Sequence, residues 1–575
     1  MGCSLLAAPQ VEVSVYQSIL GDYNSRPIWE WSIVGLNQPR TVSVSLDGAP
    51  EISLDATARS YRAPQHLLAG SYTLSVTATF DTLFGVQASG SATAVVATVR
   101  ALPAFTDTDD PDDPEYDPLC PGTAQWALCM HQLPKVWDAL AEGVLGPLED
   151  VVVAVIDTGY VIDDADGDPH DDLDGSLLTG QGYDFMSTPE LSLDGDGIDP
   201  VAEDAGDGIA VCPPPYGLPS NSWHGTAVGG IIAADTDNAT DVAGLAWHWV
   251  PGVSARLRVL PVRVLGCGGG TSYDIAQGIR YAAGLDNDSG TVPKTPAKIL
   301  NTSFGGERYD AVMELAVADA AAAGAIPVAA TANEDLPLFW PARSPHTIAV
   351  GAVGSDGSRA SYSNYGDGLD VVAAGGNAID GGDGVLTLSA AQSCPMTCTW
   401  ETAAQDGTSF ATPHVAAALA LVAAVDPDIT LNEARSMLAD SAVDIGPAGW
   451  DEDFGYGNLD AFALLGSYPP RPMASLDPLS ELPSDDVLEI PVSVVPASAL
   501  ANSLVVEWRP GVADRASARA RLANAVGATI DGDGPLSLVT LGGGQERAAI
   551  RAALQADADV AAVHYNLRYT HAGQR

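Results

Sequence analysis

The stretch that decides the fold is residues 151–159, VVVAVIDTG. Its six aliphatic residues show no polar alternation, which is typical of a strand buried on both faces, as in a parallel sheet. Further apolar strands alternate with small-residue helical segments along the middle of the chain, which predicts an α/β domain with helices on both faces of a parallel sheet. Asp157 stands where the strand ends, and open α/β sheets place their chemistry at that edge.

A second segment, residues 407–421 (GTSFATPHVAAALAL), predicts a tight turn that leads into a buried helix. Ser409 would lie in the first turn, where unpaired N–H groups and the helix dipole favour a developing negative charge. We expect Pro413 to be tolerated in that opening turn. A serine at a helix start is by itself more often an N-cap than a nucleophile.

A third segment, residues 222–232 (SWHGTAVGGII), is a polar loop that turns into a small-residue helix and carries His224. A lone aspartate or histidine in such a setting is usually a cap or a hydrogen-bonded core residue. The chain order Asp157, His224, Ser409, however, is the order of the subtilisin triad. On these motifs the chain resembles the subtilisin-like serine peptidases.

Other motifs agree with this resemblance, which covers roughly residues 119–466. Cys212 and the LGCGG stretch at 265–269 look closest to secreted bacterial members with an Asp-rich loop before the catalytic histidine. The remaining matching stretches are ILNTSFGG at 299–306, PVAATAN at 327–333, ASYSNYG at 360–366, DVVAAG at 370–375 and FGYGNLDA at 454–461.

The resemblance implies a serine endopeptidase that acts on protein and peptide substrates and needs no cofactor for its chemistry. Ser409 would be the nucleophile, His224 the general base and Asp157 the residue that orients the histidine. Asn333 and the Ser409 backbone N–H would bind the oxyanion. An extended substrate would pair with two edges, formed by Ser303, Phe304 and Gly305 on one side and by Gly268, Gly269 and Gly270 on the other.

Three positions depart from the family pattern. Ala227 stands where relatives often carry a second histidine, and Phe410 where they carry methionine. Ala332 replaces the glycine that commonly precedes the oxyanion asparagine. If that position requires an unusual backbone conformation or close approach of substrate, the added Cβ would narrow the S1 pocket. The departure therefore bears on specificity and not on the mechanism.

Length and charge set outer limits on the protein. A chain of 575 residues is expected to form several domains, because single cores rarely exceed about 250–300 residues. A net charge of −49 argues against nucleic acid or an anionic membrane surface as a partner. No run of 18 apolar residues is present, so the sequence predicts no membrane span.

The seven cysteines indicate an oxidising compartment, because six of them can be paired. Cys120 with Cys129 and Cys394 with Cys398 are close in sequence, and the resemblance brings Cys212 near Cys267. The alternative is six free or buried thiols. Cys3 is left over, and the MGCS start resembles the end of a bacterial lipoprotein signal, which would make Cys3 a lipid anchor. The predicted location is secreted or cell-envelope.

The flanking segments differ in character from the middle of the chain. An Ig-like β-sandwich is predicted from alternating strands, either as a spacer or as a binding module. The last domain resembles the inhibitory propeptide of the family, placed after the peptidase instead of before it; the alternative is an unrelated α+β module. The predicted divisions are 1–9 (lipoprotein-type N-terminus), 10–102 (β-sandwich), 103–118 (acidic Pro-rich linker), 119–467 (peptidase), 468–488 (linker) and 489–575 (propeptide-like α+β domain, an intramolecular inhibitor).

An acidic loop region precedes His224 between residues 163 and 207, with clusters of aspartates at residues 163–168 and 194–199. Clustered carboxylates suit calcium, which takes six to eight oxygens, and Asp194, Asp196 and Asp199 are the predicted ligands of a structural ion. The EF-hand template fails, because Ile198 and Asp199 fall at its fifth and sixth positions. The alternative is a solvated acidic loop.

Two other classes of protein share parts of this pattern. A non-catalytic scaffold would keep the fold with a decayed site, but the aspartate, histidine, serine and asparagine are all present. An esterase would need the Gly-x-Ser-x-Gly elbow, whereas the sequence around Ser409 is GTSFA.

Overall fold

The computed structural model describes residues 124–467 and 499–571, apart from short gaps, together with seven strands between residues 10 and 96. Cys3, Cys120 and both predicted linkers lie outside the described residues. The gaps are residues 144, 146–147, 163–167, 237, 239, 248–249, 251, 395–397, 513, 533 and 543–546.

The N-terminal strands form two antiparallel sheets, as the predicted β-sandwich requires. One sheet has the order β1-β2-β5 and the other β4-β3-β6-β7. Alternate side chains of the second sheet are buried, among them Val42, Val44 and Val76, which is the period of a sheet with one face covered. The strands are β1 (Gln10–Tyr16), β2 (Ile28–Val34), β3 (Thr41–Leu46), β4 (Ile52–Leu54), β5 (Ser60–Arg62), β6 (Gly70–Thr79) and β7 (Gln87–Val96).

A seven-stranded parallel sheet forms the centre of the molecule and confirms the α/β prediction. Its order is β16-β15-β14-β12-β8-β10-β9, and every residue of β8 is buried. Strands β17 and β18 form a separate antiparallel hairpin. The strands of this region are β8 (Val151–Asp157), β9 (Tyr183–Asp184), β10 (Leu257–Arg263), β11 (Gly270–Thr271), β12 (Ile299–Thr302), β13 (Phe304–Gly305), β14 (Ile326–Ala330), β15 (Ile348–Val353), β16 (Val371–Ala374), β17 (Val385–Ala390) and β18 (Trp400–Gln405).

Helices cover both faces of the sheet, which explains the unbroken apolar sequence of β8. Val151, Val153 and Val155 pack in one core with α4 and α7, and the side chains between them pack in a second core with α5 and α6. The helices of this region are α1 (Trp126–Met130), α2 (Leu133–Ala141), α3 (Pro189–Ser192), α4 (His224–Ala233), α5 (Ser272–Ala282), α6 (Ala311–Ala322), α7 (Thr408–Val425), α8 (Leu431–Ser441) and α9 (Ala461–Gly466), with short 3-10 turns at Thr179–Gln181 and Ala378–Asp380.

Helix α7 runs through the core, and every residue in it except Val425 is buried. Within the described parts of the chain it is the one helix long and apolar enough to cross a membrane, and 94% of it is buried inside the protein. A buried core helix meets the same length and composition test, so this finding is weak evidence for a span.

The C-terminal segment has the predicted order of strand, helix, two strands, helix and strand. Its antiparallel sheet does not end within the segment, because β22 also pairs with β11 and β13 of the central region. The elements are β19 (Ala499–Trp508), α10 (Arg515–Val526), β20 (Thr529–Asp531), β21 (Leu536–Thr540), α11 (Arg547–Gln555) and β22 (Val560–His571).

Two of the three expected disulfides are present among the described residues. Cys212 bonds to Cys267, with their Cα atoms 5.5 Å apart, and Cys394 bonds to Cys398 at 4.6 Å. Cys129 is also disulfide-bonded, and its predicted partner, Cys120, is not among the described residues.

Candidate active site

The end of β8 and the start of α4 bring Asp157 and His224 together. His224 Nδ1 lies 2.7 Å from Asp157 Oδ1, and both side chains are buried. Burial acts to lower the pKa of His224, but the nearby carboxylates, Asp157 first among them, together raise that pKa above its usual value. Gly225 makes the approach possible, because a Cβ there would lie 2.0 Å from the Gly159 carbonyl oxygen.

Ser409 is the second residue of α7, as the glycine–hydroxyl pattern predicts. The ring of the next residue, Phe410, lies 5.5 Å from the His224 ring, so α7 begins beside the histidine. Ser409 Oγ donates to the Ser303 carbonyl oxygen at 2.9 Å, and Ser303 Oγ donates to the Ser409 carbonyl oxygen at the same distance. Because Pro413 has no N–H for the Ser409 carbonyl, this second bond supplies the missing partner. Since the helix begins at Thr408, Pro413 lies in its second turn, one turn later than expected.

Asn333 follows β14 and is held by one end of its amide. Its Oδ1 accepts from the Thr408 backbone N–H and from Thr408 Oγ1, both at 2.9 Å. Its Nδ2 is buried and has no hydrogen-bond partner among the described residues. An amide donor held this way, next to the residue that precedes Ser409, is available to bind an oxyanion.

Ala332 has a backbone φ of +83°, in the left-handed region that favours glycine. Its Cβ points at Gly305, where an added Cβ would approach it to 3.2 Å. The substitution noticed in the sequence thus places a strained residue beside the predicted substrate edge.

Ala332→Gly is expected to raise the free energy of unfolding by about 1 kcal/mol, because relief of the strained φ exceeds the entropy that glycine adds to the unfolded chain. Thermal unfolding measures this. Ala323→Gly is the matched control: Ala323 is exposed with φ −78°, so the same change should destabilise the protein. If both variants have a lower melting temperature than the unaltered chain, the backbone of Ala332 is not strained.

The predicted substrate edges are already paired with the chain's own last strand. Phe304 and Gly305 pair with His571 and Thr570, and Gly270 pairs with Tyr569. Of the three predicted edge glycines, it is Gly270 that pairs, and not Gly268 or Gly269. Those two glycines form the turn before it, and the Gly268 carbonyl oxygen accepts from Arg568 Nη1 at 3.0 Å.

The acidic loop contributes a carboxylate cluster that differs from the predicted one. Asp194 and Asp199 lie together with Asp184, and Asp196 is not a member of this group of three carboxylates. Arg263 Nη1 is 2.7 Å from carboxylate oxygens of both Asp184 and Asp194. Because the guanidinium already takes oxygens from two of the three aspartates, the cluster does not fit a calcium site of six to eight free oxygens.

A family model described as the subtilase family (peptidase S8) matches residues 149–457, more than half of the chain. The chain belongs to the subtilase family. The matched range holds the parallel sheet, all four predicted catalytic and oxyanion residues, and both substrate edges.

Individual relatives agree with this membership. An extracellular protease of Xanthomonas campestris pv. campestris is 39% identical over 48% of this chain and 44% of its own length. An extracellular basic protease of Dichelobacter nodosus is 33% identical over 58% and 51%. A solved protease structure from Pseudoalteromonas arctica PAMC 21717 superposes with a TM-score of 0.52 at 33% identity, covering 64% of this chain and 99% of that one. The chain spans about half the length of the curated relatives it matches.

Two residues near the subtilase site were not singled out from the sequence. Asp204 and Asp207 are buried, with 2% and 1% of their surface exposed, and lie between the acidic loop and His224. In the sequence they are the last carboxylates of the run that was assigned to a calcium or solvated loop. Glycines follow each of them, at 206 and 208, and this is the only local sign of a tight packed turn.

Proposed function

We propose that the protein is a serine endopeptidase that uses Asp157, His224 and Ser409 as its triad. The observation that carries the proposal is the buried 2.7 Å contact between Asp157 and His224, placed where α7 presents Ser409. Extracellular and cell-wall-associated proteases among the relatives support secretion as the setting. The domain divisions and the lipid anchor at Cys3 are part of the same proposal, and the intact mass of the exported protein tests the anchor.

In this mechanism His224 takes the proton of Ser409 Oγ as the oxygen attacks the scissile carbonyl carbon. Asp157 accepts a hydrogen bond from His224 Nδ1–H, which keeps the proton on Nδ1 and leaves Nε2 free to act as the base. Its negative charge then stabilises the imidazolium. Asn333 Nδ2 and the Ser409 N–H then donate to the oxyanion. The imidazolium returns the proton to the leaving amine, and a water molecule repeats the sequence on the acyl-enzyme.

A fluorophosphonate probe tests the assignment on the full chain. The phosphonylated peptide is expected to contain Ser409, because only a serine activated by a neighbouring base reacts at neutral pH. Modification at another serine, with Ser409 left intact, would overturn the choice of nucleophile.

We further propose that β22 inhibits the enzyme by occupying its substrate cleft. The strand lies between the two substrate edges and pairs with both in the manner of an extended peptide. Tyr569 anchors it: 1% of the side chain is exposed, and its ring meets the Phe304 ring edge-on at 6.1 Å. Gly306 provides the space for this ring, since a Cβ at position 306 would lie 2.8 Å from the Tyr569 ring. Because the strand is tethered to the enzyme, its effective concentration is of order millimolar.

Tyr569→Ala is expected to raise the full chain's initial rate on small peptides by about 30-fold or more, because truncating a buried aromatic anchor typically costs about 2 kcal/mol of binding or more. Thr529→Ala, at an exposed position of the same segment, is the matched control and should leave the rate unchanged. Equal rates for Tyr569→Ala, Thr529→Ala, the unaltered chain and a chain trimmed after folding would remove the inhibitor interpretation.

A structural calcium ion at Asp194, Asp196 and Asp199 stays a prediction, and the position of Arg263 argues against it. Because the arginine already supplies the positive charge, EDTA is expected to change the melting temperature by no more than about 1 °C. Removing an ion that is present at 100 times its Kd would instead lower the free energy of unfolding by about 2.7 kcal/mol. A larger fall in EDTA that added Ca²⁺ reverses would support the ion.

A further inference from the structure

Asp204 and Asp207 lie on a loop that bonds to the chain on both sides of the Asp157–His224 contact. The loop is fixed to the residues after Asp157 by two backbone bonds: the Tyr160 N–H donates to the Ala202 carbonyl at 3.1 Å and the Asp204 N–H donates to the Tyr160 carbonyl at 2.8 Å. The two carboxylates then make separate contacts, one toward β8 and one toward α4.

Asp204 acts on Thr158, the residue that follows Asp157. Thr158 Oγ1 donates to Asp204 Oδ2 at 2.6 Å, and this uses the only proton that the hydroxyl has. The hydroxyl oxygen is thereby left to accept from the Gly225 N–H at 2.9 Å. The backbone N–H of Thr158 donates to Asp157 Oδ1, the same oxygen that His224 contacts. One threonine thus joins the aspartate to the first turn of α4, and Asp204 fixes its orientation.

Asp207 acts on Ser222, two residues before His224. Its two oxygens accept from the Ser222 N–H at 2.7 Å and from Ser222 Oγ at 2.5 Å. The turn is packed against Asn221: a Cβ at either Gly206 or Gly208 would come within 2.8 Å of that residue. Asp207 therefore fixes the segment that leads into α4 through its two hydrogen bonds to Ser222.

Burial and mutual repulsion hold the pKa values of both carboxylates above the usual range for aspartate. Burial and then the neighbouring Asp207 raise the pKa of Asp204 to about 7, and burial raises the pKa of Asp207. Arg263 of β10 faces Asp204, His224 faces Asp207, and Glu203 lies beside Tyr160. Both carboxylates add to the effect of Asp157 in raising the pKa of His224.

We propose that Asp204 and Asp207 are positioning residues for the peptidase, holding Asp157 and His224 in register through Thr158 and Ser222. This rests on the proposed function, since a triad needs its histidine held within a fraction of an ångström of the productive geometry. The hydrogen bonds of the two carboxylates run to Thr158 and Ser222, which flank the Asp157–His224 contact, so we expect them to act on kcat more than on KM.

The test is a double-mutant cycle on the full chain with two readouts. The first is the low-field proton NMR signal of His224 Nδ1–H, which reports the contact with Asp157 without any turnover. Its absence from the spectrum of His224→Ala assigns it. The second is kcat and KM on a small ester. The cycle contains Asp204→Ala, Thr158→Val and the double variant, with Thr158→Ser and Asp204→Asn as conservative partners that keep the hydroxyl and an acceptor.

Asp204→Ala and Thr158→Val should each shift or broaden the His224 signal and lower kcat by about 10–100-fold with KM within twofold. The double variant should be no worse than either single one, because both remove the same link. Thr158→Ser and Asp204→Asn should keep the signal and at least a third of kcat. If Asp204→Ala does not fold, the near-isosteric Thr158→Val tests the link alone.

Asp172→Ala is the matched control. Asp172 is also a fully buried carboxylate with hydrogen bonds, from Asn238 Nδ2 and the Val242 N–H, but it belongs to another loop. Its loss should lower stability and leave the His224 signal in place. Multiplicative losses in the cycle, or an unchanged His224 signal in Thr158→Val, would overturn the positioning role. If a chain trimmed of β22 after folding is inactive but folded and keeps the signal, the proposed function is instead refuted.

Asp207→Asn adds a second, electrostatic check. Removing this negative charge should lower the pKa of His224. The change in chemical shift of the Nδ1–H signal that accompanies protonation of the ring should therefore occur at a pH lower by on the order of half a unit. No shift would remove Asp207 from the proposal.

Discussion

Ser409→Ala is expected to reduce casein hydrolysis by about 10⁶-fold in kcat and to abolish fluorophosphonate labelling, while the protein stays folded. That magnitude is the one measured for the nucleophile of subtilisin, and the same fold with the same residue order should give a similar loss. The methyl group of alanine fits where the serine Cβ stands, and the lost Ser303 carbonyl contact is a single hydrogen bond. The melting temperature should therefore fall little.

The controls separate loss of chemistry from loss of structure. His224→Ala should lose nearly as much activity, and the double variant no more, because the residues of a triad act as a unit. Ser436→Ala, at a buried serine of α8, should keep full activity. Hydrolysis of casein by the Ser409→Ala protein at the unaltered rate would show that the nucleophile is elsewhere.

Local pattern was sufficient to predict the elements that carry the site. The aliphatic run of β8 and the small-residue helices α4 and α7 are buried on all sides, and burial of that kind leaves a direct mark on composition. The resemblance supplied the residue roles. The fold it implied is confirmed by the parallel sheet and by the family match.

Features that depend on distant packing could not be predicted. Whether Asp196 or Asp184 joins the carboxylate cluster depends on how the loop returns to β9, and Arg263 enters the cluster from β10. The burial of Asp204 and Asp207 has the same origin, since an aspartate among glycines in a polar loop carries no sign of burial. Register is the third case: of the predicted edge glycines 268–270, it is Gly270 that pairs with β22, because Gly268 and Gly269 are used in a turn.

Asn333→Ala is expected to lower kcat by ~10²–10³ with KM changed less than threefold. The range is that of the corresponding asparagine in subtilisin. The physical reason here is the buried Nδ2 donor that lacks a partner among the described residues: its bond forms only when the carbonyl oxygen becomes an oxyanion, so its loss raises the barrier without weakening substrate binding.

The asparagine also anchors Thr408 through Oδ1, and this structural role must be separated from the catalytic one. Asn333→Asp keeps both acceptor contacts, removes the donor and adds a buried negative charge that repels an oxyanion, so it should lose at least as much kcat as Asn333→Ala. Thr408→Val removes one anchor contact and keeps the donor, so most of kcat should survive. If instead Thr408→Val loses as much as Asn333→Ala, while Asn333→Asp retains activity, the role of Asn333 is to hold the start of α7, and the oxyanion is bound by other donors.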